Sequence, residues 1–349
     1  MALWLEWQIK VYVLMVLLCV GAWTSAATPP NSTLAVFERW MARHGRIYMD
    51  NLEKAKRYEI FLKKLRFIED FNSKAANRSY TVGLNQFSDL TTEEFRARYN
   101  GFRPTPRSLN SSAATTFNYQ NVTQAQDSIN SIPDSISWVD KGLVGSIKQQ
   151  GLCGSCWAFS TIATVETLLA IKGGRMVDLS EQQLIDCNTD NGGCKSGSEI
   201  EAFRYMERAG IASEEKYPYK GVKGECNGRA TFFPEATIQG YYAIPVSEHY
   251  IEMAVAAQPV TAGVDSDTDE FRNYKGGIFT GPCGQNTDHS VAIVGYGRSN
   301  SEHLDYWLIK NSWSEDWGEK GYMRIQRRSG IREGVCGINL ETAYAIMYY

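Results

Sequence analysis

An odd number of cysteines follows the apolar leader of this chain, and that number limits how the remainder can be closed into a fold. Residues 11–23, VYVLMVLLCVGAW, form an uninterrupted apolar run, preceded by Lys10 and followed by Ser25, Ala26 and Ala27. A basic flank, a short apolar stretch and a small-residue end read as a secretory signal peptide over residues 1–27, cleaved near Ala26 or Ala27. The run is short of the roughly 20 residues a spanning helix needs, which makes a membrane anchor the weaker reading. A signal implies an oxidising compartment where disulfides persist. Without Cys19 of the leader there remain Cys153, Cys156, Cys187, Cys194, Cys226, Cys283 and Cys336. At least one thiol therefore stays unpaired unless it bridges to another chain.

Two of the seven stand three positions apart in QQGLCGSCWAFS, residues 149–160. Cys153 and Cys156 could form a redox dithiol, supply half of a metal site, or be neighbours with separate fates. No compact βαβ pattern surrounds CGSC, which argues against the dithiol. No second close cysteine or histidine pair completes four zinc ligands. Parity decides nothing here, because a Cys153–Cys156 bridge would also leave one thiol over. Cys156 opens a helical pattern in which Trp157, Ile162, Val165 and Leu169 share a face, ended by Gly173 and Gly174. A thiol at a helix start feels the positive end of the dipole, which favours the nucleophilic thiolate. Such a thiolate needs an imidazole to take and return protons. The four histidines are His44, His249, His289 and His303. His249 and His303 stand in polar, loop-like settings, whereas His289 directly precedes the apolar strand of DHSVAIVGYG.

The rest of the chain falls into two parts of opposite charge. Residues 1–131 carry 16 Lys+Arg against 11 Asp+Glu, or +5; residues 132–349 carry 20 against 28, or −8, and together these give the net −3. The two parts should attract each other, and acid should weaken that attraction. No isolated block of Lys and Arg points to nucleic acid. In the front part, Leu34, Phe37, Trp40 and Met41 predict a helix ending at Gly45, and Tyr58, Phe61, Leu65 and Ile68 a second one after Asp50. Residues 102–131, rich in Ser, Asn, Thr and Gln, read as a linker. Glycosylation sequons occur at Asn31, Asn77, Asn110 and Asn121. From about residue 237 strand-like runs dominate, among them VAIVGYG (291–297), YWLIKNSW (306–313) and GYMRIQR (321–327). A helical half followed by a strand-rich half suggests two lobes with a ligand cleft between them.

The segment QQGLCGSCWAFS resembles the cysteine motif of papain-like cysteine peptidases. DHSVAIVGYG and YWLIKNSWSEDWGEKGYMRI resemble that family's histidine and asparagine segments, in the same order. Glu53, Arg57, Phe61, Ile68 and Asn72, followed by GLNQFSD (Gly83, Asn85, Phe87, Asp89), resemble its cathepsin-type inhibitory propeptide, and the nearest likeness is to plant enzymes of the papain and bromelain type. The resemblance implies an α+β, papain-like two-lobe fold preceded by a helical propeptide, with a signal peptide over 1–27, a propeptide over 28–131 and a peptidase domain over 132–349. It implies a secreted zymogen of an endopeptidase with Cys156 as nucleophile, His289 as general acid/base, Asn311 orienting the imidazole and Gln150 donating to the oxyanion. Trp313 would shield the histidine–asparagine hydrogen bond and border the substrate site. The implied disulfides are Cys153–Cys194, Cys187–Cys226 and Cys283–Cys336, leaving Cys156 free. No metal or cofactor is implied. The implied partners are peptide and protein substrates, the chain's own propeptide and cystatin-like inhibitors, with no nucleic acid and no membrane after signal removal. The product would be a monomer in a vacuolar, lysosome-like or extracellular compartment.

Departures from the family pattern concern specificity. Lys64 stands where the propeptide helix usually has asparagine, Lys195-Ser196-Gly197 where Asn-Gly-Gly is common, and Ser314 where glycine usually follows the shielding tryptophan. Gly197 keeps the place where substrate backbone pairs. In the pocket for the second residue upstream of the cut, Ser198 and Glu199 replace an aromatic and a proline. Gly263 replaces a branched aliphatic, and Glu341 falls at the pocket floor. A wider, more acidic pocket should accept Arg or Lys as well as Leu or Phe.

Overall fold

The computed structural model describes residues 32–74, 78–104, 132–173 and 175–348. The leader, all four sequons, Gly174 and most of the expected linker lie outside the described residues. The chain forms two compact units, one ending at Leu62 and the other beginning at Lys63. In the first, α1 (Thr33–Arg43) starts on Ser32, whose hydroxyl accepts the Ala35 N–H at 3.2 Å. Asp50 accepts the Glu53 N–H at 2.8 Å and so caps the start of α2 (Asn51–Ser73). Phe37 and Trp40 of α1 are buried and pack their rings on Phe61 of α2 at centroid distances of 5.1 and 5.2 Å. The expected apolar stripe is the one used.

The second unit continues with β1 (Tyr80–Val82), α3 (Thr92–Tyr99) and β2 (Ile136–Ser137). Helices α4 (Cys156–Gly173), α5 (Glu181–Cys187) and α6 (Glu199–Ala209) follow. Next come β3 (Gly240–Ala243), α7 (Glu248–Ala257), β4 (Val260–Val264), α8 (Asp269–Arg272) and β5 (Tyr274–Phe279). The chain then runs through β6 (His289–Arg298), β7 (Asp305–Lys310), β8 (Tyr322–Gln326) and β9 (Thr342–Ile346). The sheet order is β1-β5-β8-β7-β6-β4-β9-β3, with β2 paired to β6; among the described strands only β5 and β8 run parallel. The apolar run of β6 is buried along almost its whole length, as suits a central strand.

Two cores result. One packs Ile162, Val165 and Leu168 of α4 against Leu184 of α5 and Phe203 and Met206 of α6. The other fills the sheet around Val260, Ile293, Trp307 and Ile325. Because α4 lies between them it is buried on nearly every face, with Leu169 only half-buried. Three disulfides join Cys153–Cys194, Cys187–Cys226 and Cys283–Cys336, and Cys156 keeps a free thiol.

Two sequence expectations need correction. The strand-rich half also contains a helix, α7, in which residues 251–256 are all buried, without the alternation of a half-buried strand. His249 therefore sits on the first turn of a helix, exposed, rather than in a loop. The linker does not begin at residue 102. Phe102 is buried and bridges Gly197, and Arg103 N–H donates to Gly197 O at 2.8 Å.

Candidate active site

The loop before α4 is held from three sides. Cys153 is tied to Cys194 by its disulfide, and Gly154 N–H donates to Cys194 O at 2.9 Å. Gln150 N–H donates to Ser312 O at 2.9 Å, joining this loop to the turn after β7. Tyr219 O–H donates to Gln150 O at 2.6 Å, a support that nothing in the local sequence announced. Cys156 is thereby fixed at the first residue of α4, fully buried. Burial pushes its thiol up to about 12, while main-chain groups of Ser290, Gly101 and Trp157 favour the thiolate and Glu199 opposes it. In this closed state burial outweighs the groups that favour the thiolate.

His289 begins β6, opposite Val264 of β4. Its Nε2 lies 2.8 Å from Asn311 Oδ1. Asn311 Oδ1 also accepts the Ser312 N–H at 2.8 Å, so an oxygen must occupy that position. With Oδ1 accepting, Nε2 carries the hydrogen, and Nδ1 keeps its lone pair and has no hydrogen-bond partner among the described residues. Burial lowers the imidazole to about 4, with the Asn311 hydrogen bond opposing. Trp313 stacks on the imidazole at a centroid distance of 4.4 Å and is itself 1% exposed. Ser314, after it, adopts φ +65°, a left-handed conformation that explains why glycine suits this place. A thiol, an imidazole and an orienting amide form the set that nucleophilic acyl transfer uses.

The front segment closes over this set. Phe87 and Phe95 meet the Trp313 ring edge-on at 5.2 and 5.4 Å. The Gln150 side-chain amide donates to Tyr99 O at 3.1 Å and to Cys153 O at 2.9 Å, and its oxygen accepts from Ser312 Oγ. Asn100 Nδ2 donates to Asp288 Oδ2 at 2.6 Å, Gly197 N–H to Gly101 O at 2.8 Å, and Phe102 N–H to Asp288 O at 3.1 Å. Away from the cleft, Lys64 pairs with Asp269 at 2.5 Å and Arg96 Nε with Asp267 at 2.8 Å. The unusual Lys64 is therefore one of the contacts between basic front and acidic rear.

The pocket residues divide into groups. Gly263 lies directly opposite Ser290 of β6, and its N–H donates to Glu341 O at 2.9 Å. A methyl on Gly263 would stand 2.6 Å from Phe102 Cε1, so the phenyl ring occupies the space that glycine leaves. Gly197 packs in the same way on the Trp157 ring. Ser198 is turned elsewhere: its hydroxyl accepts the Ile200 N–H at 3.2 Å and caps α6. Glu199 is buried and accepts from Ser290 Oγ, which in turn lies 2.5 Å from Ser160 Oγ. Reading the sequence missed Tyr99, Phe102, Asp288 and Ser290. Only Phe102, an aromatic at the start of a polar stretch, left a signal there.

Comparison with known proteins agrees with this arrangement. Residues 132–346 match the papain family cysteine protease model, and residues 37–95 match the cathepsin propeptide inhibitor domain. The chain is 42% identical over 310 residues to the senescence-specific cysteine protease SAG12 of Arabidopsis thaliana, covering 87% of this chain and 88% of that one. It is 40% identical to ananain of Ananas comosus over 342 residues, covering 97% and 96%. Among solved structures, a recombinant stem bromelain precursor superposes with a TM-score of 0.81 at 40% identity, covering 91% of this chain and 99% of that one. The proform of Amb a 11, a ragweed pollen cysteine protease, also reaches 0.81 at 33% identity, covering 91% and 95%. With a peptidase domain, an inhibitory propeptide domain and the papain-like fold all present, the chain belongs to the papain family of cysteine proteases.

Proposed function

We propose that this chain is the precursor of a secreted endopeptidase that works through Cys156, His289, Asn311 and Gln150. The observation that carries the reading is the buried His289–Asn311 hydrogen bond under Trp313, with a free thiol at the start of α4 and the Gln150 amide already holding a peptide carbonyl. In the mature enzyme His289 Nδ1 takes the proton of Cys156, and the thiolate attacks the scissile carbonyl carbon. The Gln150 amide and the Cys156 main-chain N–H donate to the resulting oxyanion. Collapse breaks the C–N bond, and the Nδ1 proton passes to the departing amine. Water, deprotonated by the same imidazole, then hydrolyses the thioester. Asn311 keeps Nε2 protonated and the ring in place.

In the precursor Tyr99 O takes the oxyanion donor and Phe102 fills the side-chain pocket, so substrate is excluded. Residues 28–131 act as the propeptide and the mature domain begins near Ile132. The apolar leader and three disulfides support passage through the secretory pathway to a vacuolar, lysosome-like or extracellular site. The sequons serve glycosylation there, and the mature monomer meets protein substrates and cystatin-like inhibitors.

The test is thiol-dependent peptide hydrolysis by the precursor after exposure to about pH 4–5, where carboxylates begin to titrate. Cys156→Ala should abolish hydrolysis while secretion and the far-ultraviolet circular dichroism stay unchanged. An alanine variant, matured with an external protease, that hydrolyses peptides at the wild-type rate would overturn the assignment.

A further inference from the structure

The loop that carries both oxyanion donors has little stiffness of its own. Residues 150–156 include Gly151, at φ +62°, and Gly154, so ties from outside the loop set its shape. The disulfide at Cys153 and the bonds made by the Gln150 and Gly154 N–H groups each hold one point. Tyr219, on the segment after α6, holds both ends. Its hydroxyl lies 2.6 Å from Gln150 O and 3.0 Å from Ser155 Oγ. A carbonyl oxygen can only accept, so the phenolic hydrogen points at Gln150 O, and Ser155 Oγ donates to the phenolic oxygen. That contact is shorter than the other one open to the Ser155 hydroxyl, Cys153 O at 3.3 Å.

The tyrosine is itself braced. Its main-chain N–H donates to the Glu214 carboxylate at 2.7 Å. Its ring meets Phe159 edge-on at 5.0 Å, and Phe159 lies one turn into α4, the helix that presents the thiol. Burial holds the phenol well above its ordinary value, so the hydrogen stays on at every working pH.

We infer that Tyr219 is a positioning residue for the oxyanion hole, its hydroxyl setting the separation of the two donors by bridging Gln150 O to Ser155 Oγ. The inference rests on the peptidase reading above and deepens it by adding a residue outside the reacting set. Gln150 carries the side-chain donor, and Ser155 immediately precedes the Cys156 N–H. Ser312 Oγ fixes the Gln150 side-chain oxygen, and Tyr219 fixes its main chain. In the closed precursor Tyr99 O and Cys153 O also hold the amide. Once Tyr99 leaves, the placing of the main chain decides where the amide points. Donors must sit roughly 2.7–3.1 Å from the oxyanion, and a site loosened by more than about 0.5 Å loses much of its effect.

The experiment uses the matured enzyme, a fluorogenic peptide amide, a peptide aldehyde and iodoacetamide. When the Cys156 sulfur adds to the aldehyde carbon, the carbonyl oxygen becomes an oxyanion in the hole. Alkylation by iodoacetamide joins the same sulfur to a methylene carbon and expels iodide, so it forms no oxyanion. Tyr219→Phe keeps the ring and its contact with Phe159 and removes only the hydrogen bonds. It should lower kcat and weaken aldehyde binding by about tenfold each, part of the 10²–10³ expected for losing a donor outright. KM and the iodoacetamide rate should stay within about twofold. In a Gln150→Ala background the same change should cost no more than about twofold, because most of its effect runs through the missing amide. Ser155→Ala frees the other end of the bridge and should show the same pattern, which keeps the inference testable if Tyr219→Phe fails to fold. Alkylation slowed as much as hydrolysis, an equal loss with and without Gln150, or unchanged kcat and aldehyde affinity would overturn the inference. Wild-type enzyme that neither cuts the amide nor binds the aldehyde would overturn the peptidase reading itself, a different failure from an active enzyme indifferent to Tyr219.

Discussion

Adding one methyl group at Gly101 should release the propeptide from the cleft. A Cβ built there would stand 1.9 Å from Gly154 O and 2.4 Å from Gly154 C, both main-chain atoms. Gly154 cannot retreat, because it follows the disulfide-bonded Cys153 and its N–H is held by Cys194 O. In Gly101→Ala the front segment must move instead. The bonds it stands to lose flank the substitution: Gly197 N–H to Gly101 O, Phe102 N–H to Asp288 O, and Gln150 Nε2 to Tyr99 O. Losing two of these three bonds at about 1 kcal/mol each, plus half the burial of one phenyl ring, comes to about 3 kcal/mol. That is on the order of a hundredfold in the ratio of open to closed precursor. The assay is alkylation of Cys156 in the intact precursor by iodoacetamide at neutral pH, followed by mass spectrometry before any processing occurs. Wild-type precursor should react slowly, because the closed cleft keeps the thiol protonated. The alanine variant should react on the order of a hundred times faster, with unchanged melting of the peptidase domain. Equal labelling rates in the two precursors would refute the claim that Gly101 sets the depth at which the propeptide sits.

Three further outcomes follow from the site. The His289 imidazole should titrate near 4 in the closed precursor, read by nuclear magnetic resonance of labelled histidine in the Cys156→Ala chain, and near or above its usual 6.5 once the propeptide is gone. Because the closed form holds the lower value, the opened form binds the extra proton, and the closed form loses stability as pH falls from 6.5 toward 4. Asp288, raised to about 6 by burial, and Glu199 take up protons in the closed form and work in the opposite direction, so acid opening should be steeper in a Glu199→Gln precursor. An imidazole that titrates at its ordinary value in the closed precursor would contradict this. Gln150→Ala should lower kcat by about 10²–10³ while KM changes little, because the amide is needed most when the oxyanion forms. A loss confined to KM would place Gln150 in ground-state binding instead.

How much of this could be read without coordinates follows from what is local. The helix that begins at Cys156, the strand after His289 and the stripe of Phe37 and Trp40 are periodic over a few residues, and periodicity is written in the chain. The odd cysteine count required a thiol to spare, but which one was spared depended on where Cys153 met Cys194. Tertiary structure alone decided what crosses the cleft. Phe102 stands among polar residues and looks like linker, yet it is buried because Gly263, far along the chain, leaves a hole of its shape. Ser290 is ordinary in sequence, and it becomes the partner of Glu199 only when β6 and the start of α6 meet. The state of Cys156 shows the same division most plainly: a helix start predicts a thiolate, whereas burial under the propeptide keeps the proton on. Helix dipoles act over one turn and are encoded locally. Desolvation is set by everything that covers the atom, and the covering residues come from across the chain.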